Sequence, residues 1–138
     1  MRFTTFRALS RAALAALALT GSAAFAADLK LSGANEVPPV STAATGAGTI
    51  TVADDGAVSG SVKTTGVAGT MAHIHVGAAG KNGPVIVTLT KGADGLWSVP
   101  AGAKLTPEQL KSYKAGELYV NVHSDAHKGG EVRAQLTP

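Results

Sequence analysis

The sequence predicts an all-β protein, a single antiparallel β-sandwich or barrel that carries one short helix. Two observations predict this class. Short runs of alternating β-branched and polar residues recur along the chain between glycine clusters, a rhythm typical of many brief strands. In addition, only one segment carries helix signals at both of its ends. We therefore expect one domain with a single core.

Three strands are predicted in the first half of the chain. The segment "DLKLSG" places Leu29 and Leu31 on one face, and the loop "ANEVPPVSTAATG" that follows contains prolines that cannot sit in a central strand. The runs "GTITVA" and "AVSGSV" then alternate apolar and polar residues on either side of the turn sequence "DDG". These two runs predict a β-hairpin.

The second half adds five strands and the helix. The run "MAHIHV" precedes the turn "GAAGKNGP" and the strand "VIVTL", and a short strand is expected around Trp97. In "TPEQLKSYKAG", Thr106 is the expected N-cap, Pro107 the first helical residue, Gln109 the partner in a capping box and Gly116 the stop. The runs "ELYVNVHS" and "GEVRAQL" flank "DAHKGG" and predict a terminal hairpin.

Residues 1–26 have the features of a secretory signal peptide. Three arginines precede its apolar run, namely Arg2, Arg7 and Arg11. The run "AALAALALTGSAAFA" ends in an A-x-A site, so we expect cleavage after Ala26 and export of residues 27–138 to the periplasm or the extracellular space. The run is short for a bilayer span, which makes a retained anchor the weaker alternative and argues against stable membrane insertion after cleavage.

Charge and cysteine content exclude several classes of function. The chain has 12 Lys and Arg against 9 Asp and Glu, and the three signal arginines account for the whole surplus. A neutral mature domain has no basic excess with which to release counterions from phosphates, so nucleic acid is not an expected partner. Cysteine is absent, which excludes disulfides and thiolate metal sites.

Alternation along two strands directs three of the four histidines to one side. Successive side chains of a strand point to opposite faces, so "MAHIHV" directs Ile74 inward, and His73 and His75 outward. The run "LYVNVHS" directs its aliphatic residues inward and His123 outward in the same way. If the two strands are neighbours in one sheet, these imidazoles lie on one outer surface within reach of a single ion.

The sequence therefore predicts a metal site of His73, His75 and His123, with His127 of "SDAHKGG" as a fourth ligand. Imidazoles without a thiolate suit copper(II) or zinc(II), and copper is bound more tightly at a given nitrogen site. Met71 shares the face and offers a thioether to copper(I). The alternative is a polar strand face, in which the histidines are solvated or hydrogen-bonded.

Other polar residues have structural explanations. Asp54 and Asp55 supply the turn between two predicted strands. Glu36 and Glu131 have the chemistry for acid-base work or calcium binding, but bonds to loop amides and pairing within the sheet explain them better. Ser124 points to the face opposite its histidine neighbour, so the two do not form a nucleophilic pair.

Six motifs, in order, resemble those of the CHRD domain family: "LSGANEVPPV", "GAG", "AHIHVG", "GPVIVTL", "LYVNVHS" and "GGEVRAQL". The resemblance covers nearly all of residues 27–138. It implies an exported β-sandwich or barrel with a binding or interaction role that is poorly defined. Ser124, Lys128 and Ala134 stand where threonine, proline and glycine are frequent, so a looser last turn is expected, and no candidate ligand is lost.

A second resemblance concerns the histidine strands alone. The segments "HIHVG" and "VHSDAHKGG" are similar to the copper-ligand strands of copper-zinc superoxide dismutases. Those enzymes are β-sandwiches, and the expected fold is either of this type or immunoglobulin-like. This resemblance implies copper at His73, His75 and His123, and an anion attracted by Arg133. The long zinc-binding loop, its bridging histidine and the structural disulfide have no counterpart, so enzyme activity is not the leading expectation.

These observations lead to one main hypothesis and two alternatives. The main hypothesis is an exported binding module that coordinates copper or zinc through strand histidines. The first alternative is a metal-free domain that recognises a protein or a glycan through loops such as "NEVPPVS". The second alternative is a copper-dependent redox enzyme.

Overall fold

The computed structural model describes residues 24–138, so that residues 1–23 of the predicted signal peptide lie outside the described residues. The described part contains nine strands and one α-helix. The strands are β1 (Ala24–Ser32), β2 (Thr45–Ala53), β3 (Val58–Thr65), β4 (Gly69–Val76), β5 (Val85–Thr88), β6 (Thr90–Lys91), β7 (Leu96–Ser98), β8 (Leu118–Ser124) and β9 (Val132–Leu136). A 3₁₀ turn spans Gly33–Asn35, and the helix α1 spans Pro107–Lys114.

All nine strands belong to one antiparallel sheet that curls into a nearly closed barrel. Their order is β5-β4-β8-β9-β1-β2-β3-β7-β6. The two end strands, β5 and β6, follow one another in the chain, which brings the sheet's ends together. Across this seam, Lys91 Nζ donates to the carbonyl oxygen of Gly69 at 2.7 Å. The predicted all-β class is therefore confirmed, in its barrel form.

The predicted hairpins and the predicted helix are present. Strands β2 and β3 pair, as do β8 and β9. Thr106 Oγ1 accepts from the Gln109 N–H at 3.2 Å, and Gln109 Oε1 accepts from the Thr106 N–H at 2.9 Å, which is the expected capping box. Gly116 adopts a φ of 75° just past the helix end. Residues 24–138 contain no helix that is long and apolar enough to cross a bilayer.

The core fills the inside of the barrel with the aliphatic residues that alternation directs inward. Seven of them have no exposed surface: Val62, Ala72, Ile74, Leu118, Val120, Val122 and Val132. Trp97, on the short strand β7, is 2% exposed and packs in the same cluster. Burial of each large apolar side chain contributes about 1.5–3 kcal/mol, and no disulfide supplements this.

The outer face of β8 and most of that of β9 are also buried, as is His75 on β4, whereas Met71 near the start of β4 is 51% exposed. Every residue of β8 is buried, on both of its faces. Three loops, residues 33–41, 77–84 and 125–131, cover the outer face through side-chain hydrogen bonds. Asn35 Nδ2 donates to Arg133 O at 3.1 Å, and Gln135 Nε2 to Gly77 O at 2.7 Å. The fold therefore contains a second, polar layer between sheet and loops.

Candidate metal centre

Three histidines meet in this polar layer, where β4 pairs with β8. His73 and His75 are two residues apart on β4, and His123 is on β8. The His73 Nδ1 and His123 Nε2 atoms are 3.0 Å apart, and one ring nitrogen of each histidine lies within 4.8 Å of the other two. The prediction that alternation brings these three imidazoles to one point is confirmed.

Backbone carbonyls fix the orientation of two of the rings. His75 Nδ1 donates to the carbonyl oxygen of Gly83 at 2.9 Å, and His123 Nδ1 donates to that of Lys128 at 2.8 Å. Since a carbonyl oxygen only accepts, both Nδ1 atoms carry protons and both Nε2 atoms present lone pairs when the rings are neutral. His75 Nε2 is fully buried and has no hydrogen-bond partner.

His73 completes the group from the more open side. Because His123 Nε2 is the acceptor in the 3.0 Å contact, the proton between the two rings belongs to His73 Nδ1. His73 is half-buried, whereas His75 and His123 are each 7% exposed. Solvent therefore reaches the group from the His73 side, which provides an entry path for an ion.

The surroundings favour neutral imidazoles. Burial lowers the pKa of His73, and the neighbouring His123 and His75 rings lower it further. Burial also lowers the pKa of His75, although the hydrogen bond with Gly83 and the nearby Asn121 amide partly offset this. Neutral imidazole is the form that binds metal, so both shifts extend metal binding toward mildly acidic pH.

The side chains of His75, Tyr119 and Arg133 form a stack that supports the His75 ring. The His75 ring lies parallel to the Tyr119 ring, with 4.6 Å between centroids and 4° between planes. The Arg133 guanidinium packs over the same Tyr119 ring, with its central carbon 3.5 Å from the ring centroid. Tyr119 Oη accepts from the Gly83 N–H at 3.2 Å. Gly83 thus holds His75 through its carbonyl and Tyr119 through its amide.

Arg133 is the cation of the polar layer and is 1% exposed. It donates to three acceptors: Asn82 Oδ1 at 3.3 Å, Ala78 O at 3.1 Å and Gln135 Oε1 at 3.2 Å. Two of these acceptors belong to the loop of residues 77–84. Arg133 therefore ties that loop, which carries the carbonyl partner of His75, to the sheet.

Glu36 lies beside Arg133 in the same layer and is 4% exposed. Burial raises the pKa of Glu36 to about 7, although the Arg133 charge and a hydrogen bond with Asn121 act in the opposite direction. Its Oε1 atom is buried and makes no hydrogen bond, so the expected bonds from loop amides to this atom are absent. The carboxyl group therefore changes charge near neutral pH inside the fold.

Glu36→Gln is expected to stabilise the metal-free protein at pH 8 but not at pH 5. Between the ordinary pKa of 4.5 and the folded value of about 7, the folded state binds a proton that the unfolded state releases. Stability from this group is therefore present below pH 4.5 and is lost as the pH rises through 7. We expect the melting temperature of the variant to exceed that of the wild type by at least about 4 °C at pH 8.

The exposed Glu117 provides the matched control for this measurement. Glu117→Gln is expected to give the same melting temperature as the wild type at both pH values. An equal effect of Glu36→Gln at pH 5 and pH 8 would contradict the assignment of a buried, titrating carboxyl group.

His127 is not part of the three-histidine group. Its Nε2 atom lies 3.7 Å from Glu131 Oε1, and its backbone N–H donates to Ser124 Oγ at 3.1 Å. The side chain lines a surface cavity of about 500 Å³ together with Glu36 and Gly130. The residues that orient the ligands are instead Gly83 and Lys128, which act through backbone carbonyls that no side-chain pattern reveals.

The match to known proteins covers the whole barrel apart from the chain ends. Residues 27–136 match the family model described as the CHRD domain. No curated protein and no solved structure shows a significant match to the chain. The family match spans the loops and strands that build the three-histidine group. The chain therefore belongs to the CHRD domain family.

Proposed function

We propose that this domain binds one copper(II) or zinc(II) ion through His73, His75 and His123. The observation that carries the proposal is the buried, unpartnered Nε2 of His75, which lies near a pair of imidazole nitrogens only 3.0 Å apart. A buried acceptor without a donor is rare in folded proteins. A cation held by the three rings would satisfy it.

The dimensions support this proposal. Zinc and copper bind imidazole nitrogen at about 2.0–2.1 Å, so two adjacent ligands of one ion are roughly 3 Å apart. The His73 Nδ1 and His123 Nε2 atoms have this spacing, and both would face an ion once the His73 proton moves to its Nε2. The 4.8 Å limit on the whole group requires only small ring movements to close on an ion. The carbonyls of Gly83 and Lys128 act as the outer partners that orient metal-binding histidines.

The donor set favours copper over zinc. The three donors are neutral nitrogens, and copper(II) is the tighter binder at nitrogen sites among divalent first-row ions. We further propose that the domain meets this ion outside the cytoplasm, after cleavage of the segment 1–26 that the sequence predicts as a signal peptide. In that case the group would work as a binding site for exported or environmental copper.

A metal-free interaction role is the second candidate, and it has an observation of its own. The loop "NEVPPVS" borders two neighbouring surface cavities of about 470 and 500 Å³. Apolar Val37 and Pro39 line both, as does Glu36. This combination suits a protein segment or a glycan that contacts the loop and leaves the histidines free.

Metal analysis of untagged protein from a periplasmic extract tests the main proposal. We expect close to one copper or zinc per chain, and calorimetric titration of the stripped protein should give one site. His123→Phe is expected to weaken copper(II) binding by more than about 100-fold, because it removes a ligand rather than an outer partner. His127→Phe, the matched control, is expected to bind as the wild type does.

Two results would contradict the proposal. Purified protein that contains no metal and takes up none in titration would favour the metal-free interaction role. Equal losses in His123→Phe and His127→Phe would mean that the ligand set differs from the three rings proposed.

A further inference from the structure

Asn121 lies at the centre of the three-histidine group. It faces His73 directly across the β4–β8 pair, whereas His75 faces Tyr119 and is therefore diagonal to Asn121. His123 is two residues further along β8, on the same face. Side chains at opposite and diagonal positions of paired strands are within contact range. Asn121 is therefore the one β8 residue that neighbours all three imidazoles, and it is 2% exposed.

Hydrogen-bond chemistry determines which end of the Asn121 amide faces the rings. Its Nδ2 donates to the carbonyl oxygen of Gly129 at 3.5 Å. A Cβ atom placed on Gly130 would lie 2.5 Å from Asn121 Nδ2 and 2.5 Å from Glu36 Oε1. Both atoms therefore lie next to the same point, and the amide nitrogen is on the side of the Glu36 carboxyl group. With Nδ2 directed toward Gly129 and the Glu36 side, Oδ1 points the other way, toward His75.

Two buried acceptors therefore lie near each other without a donor between them. Asn121 Oδ1 and His75 Nε2 are both fully buried, and neither has a hydrogen-bond partner. The amide is nevertheless close enough to His75 to favour the protonated ring. Two lone pairs in this arrangement are stabilised by a shared cation, and a metal ion bound to the imidazoles would occupy that place.

We propose that Asn121 Oδ1 is a direct fourth ligand of the metal ion held by His73, His75 and His123. The inference rests on the proposed function. It gives a donor set of three imidazole nitrogens and one amide oxygen with no net charge, in which β8 supplies two ligands and β4 the other two. The protein then closes the fourth position of the ion, and an added ligand has to displace an amide rather than a water.

Two substitutions at Asn121 test this assignment, because they are expected to change copper(II) affinity in opposite directions. Asn121→Leu removes the oxygen at nearly constant volume, and is expected to weaken copper(II) binding by about 10- to 100-fold and to change the copper(II) electron paramagnetic resonance spectrum. Asn121→Asp keeps an oxygen at the same place and adds a negative charge, so it is expected to bind copper(II) at least about tenfold more tightly. Affinities are measured by competition with a chromophoric chelator.

A purely structural role of Asn121 predicts a different result. Asn121→Asp would then lose the donor to Gly129 and place a second carboxylate beside Glu36, so that metal affinity would fall or stay the same. That outcome overturns the inference. Asn35→Leu is the matched control, because Asn35 is exposed and its side-chain amide bonds to the Arg133 carbonyl. It is expected to bind copper(II) as the wild type does.

A measurement on the wild-type protein makes the test independent of variant folding. If the amide holds the fourth position, the copper(II) form in deuterated water should lack the pulsed-resonance signal of a water bound in the coordination plane. A strong signal of this kind overturns the inference. Wild-type protein that binds neither copper nor zinc refutes the proposed function itself, whereas normal wild-type binding that is unchanged in both Asn121 variants refutes only the role of Asn121.

Discussion

Gly83→Ala is expected to destabilise the metal-free protein by roughly 3 kcal/mol and to weaken copper(II) binding by at least about tenfold. A Cβ atom at this position would overlap the carbonyl oxygen of Val76, which is backbone of β4 and cannot rotate away. The loop would have to move off the strand. Because Gly83 orients His75 through its carbonyl and Tyr119 through its amide, this movement releases both rings.

Chemical denaturation and metal titration of the same variant measure the two effects. Gly129→Ala is the matched control, since a Cβ atom at Gly129 meets nothing within 4 Å and its φ lies outside the left-handed region. We expect Gly129→Ala to stay within about 0.5 kcal/mol of the wild type. Wild-type copper affinity in a folded Gly83→Ala protein would contradict the role assigned to the Gly83 carbonyl.

Arg133→Ala is expected to lower the free energy of unfolding by about 3–5 kcal/mol, because each buried acceptor left without its donor costs about 1–3 kcal/mol. The substitution leaves three acceptors without their donor and removes the guanidinium from the Tyr119 face. The loop of residues 77–84 also loses its tie to β9. Arg133→Lys keeps the charge but not the planar fork, so we expect it to recover only part of the loss.

Denaturant titration of the metal-free protein measures this effect. The exposed Lys63 is the control for loss of a positive charge, and Lys63→Ala is expected to change the free energy of unfolding by less than about 0.5 kcal/mol. Similar values for Arg133→Ala and Lys63→Ala would mean that the buried network does not hold the loop.

The barrel was predictable because its signals are local. Alternation in "MAHIHV" and "LYVNVHS" assigned Ile74 and Val120 to the core, and both have no exposed surface. The capping box from Thr106 to Gln109 placed the one helix, whose signals lie within a single turn. The same alternation directed His73, His75 and His123 away from the core, and the pairing of β4 with β8 then made this a common face.

The environment of that face was not predictable in the same way. Loops remote in sequence cover it, and the covering depends on bonds such as those of Arg133 to Ala78, which are 55 residues apart. His127 is close to His123 in sequence, but its loop directs it to Glu131. Backbone carbonyls have no residue-type signature, so the partners of the His75 and His123 rings were outside the reach of sequence patterns.

The sequence by itself determined the all-β class, the helix and the outward direction of His73, His75 and His123, because each depends on the period of a strand or on one turn of chain. The pairing of β4 with β8 then brought the three rings together and left His127 outside the group. Only the tertiary structure decided that the outer face is buried, that His75 Nε2 and Asn121 Oδ1 are left without donors, and that Glu36 titrates near neutral pH. Burial, the dielectric environment and hydrogen-bond partners arise when distant segments pack together. The proposed metal centre depends on both strand alternation and tertiary packing, since alternation directs its residues outward and packing removes water from around them.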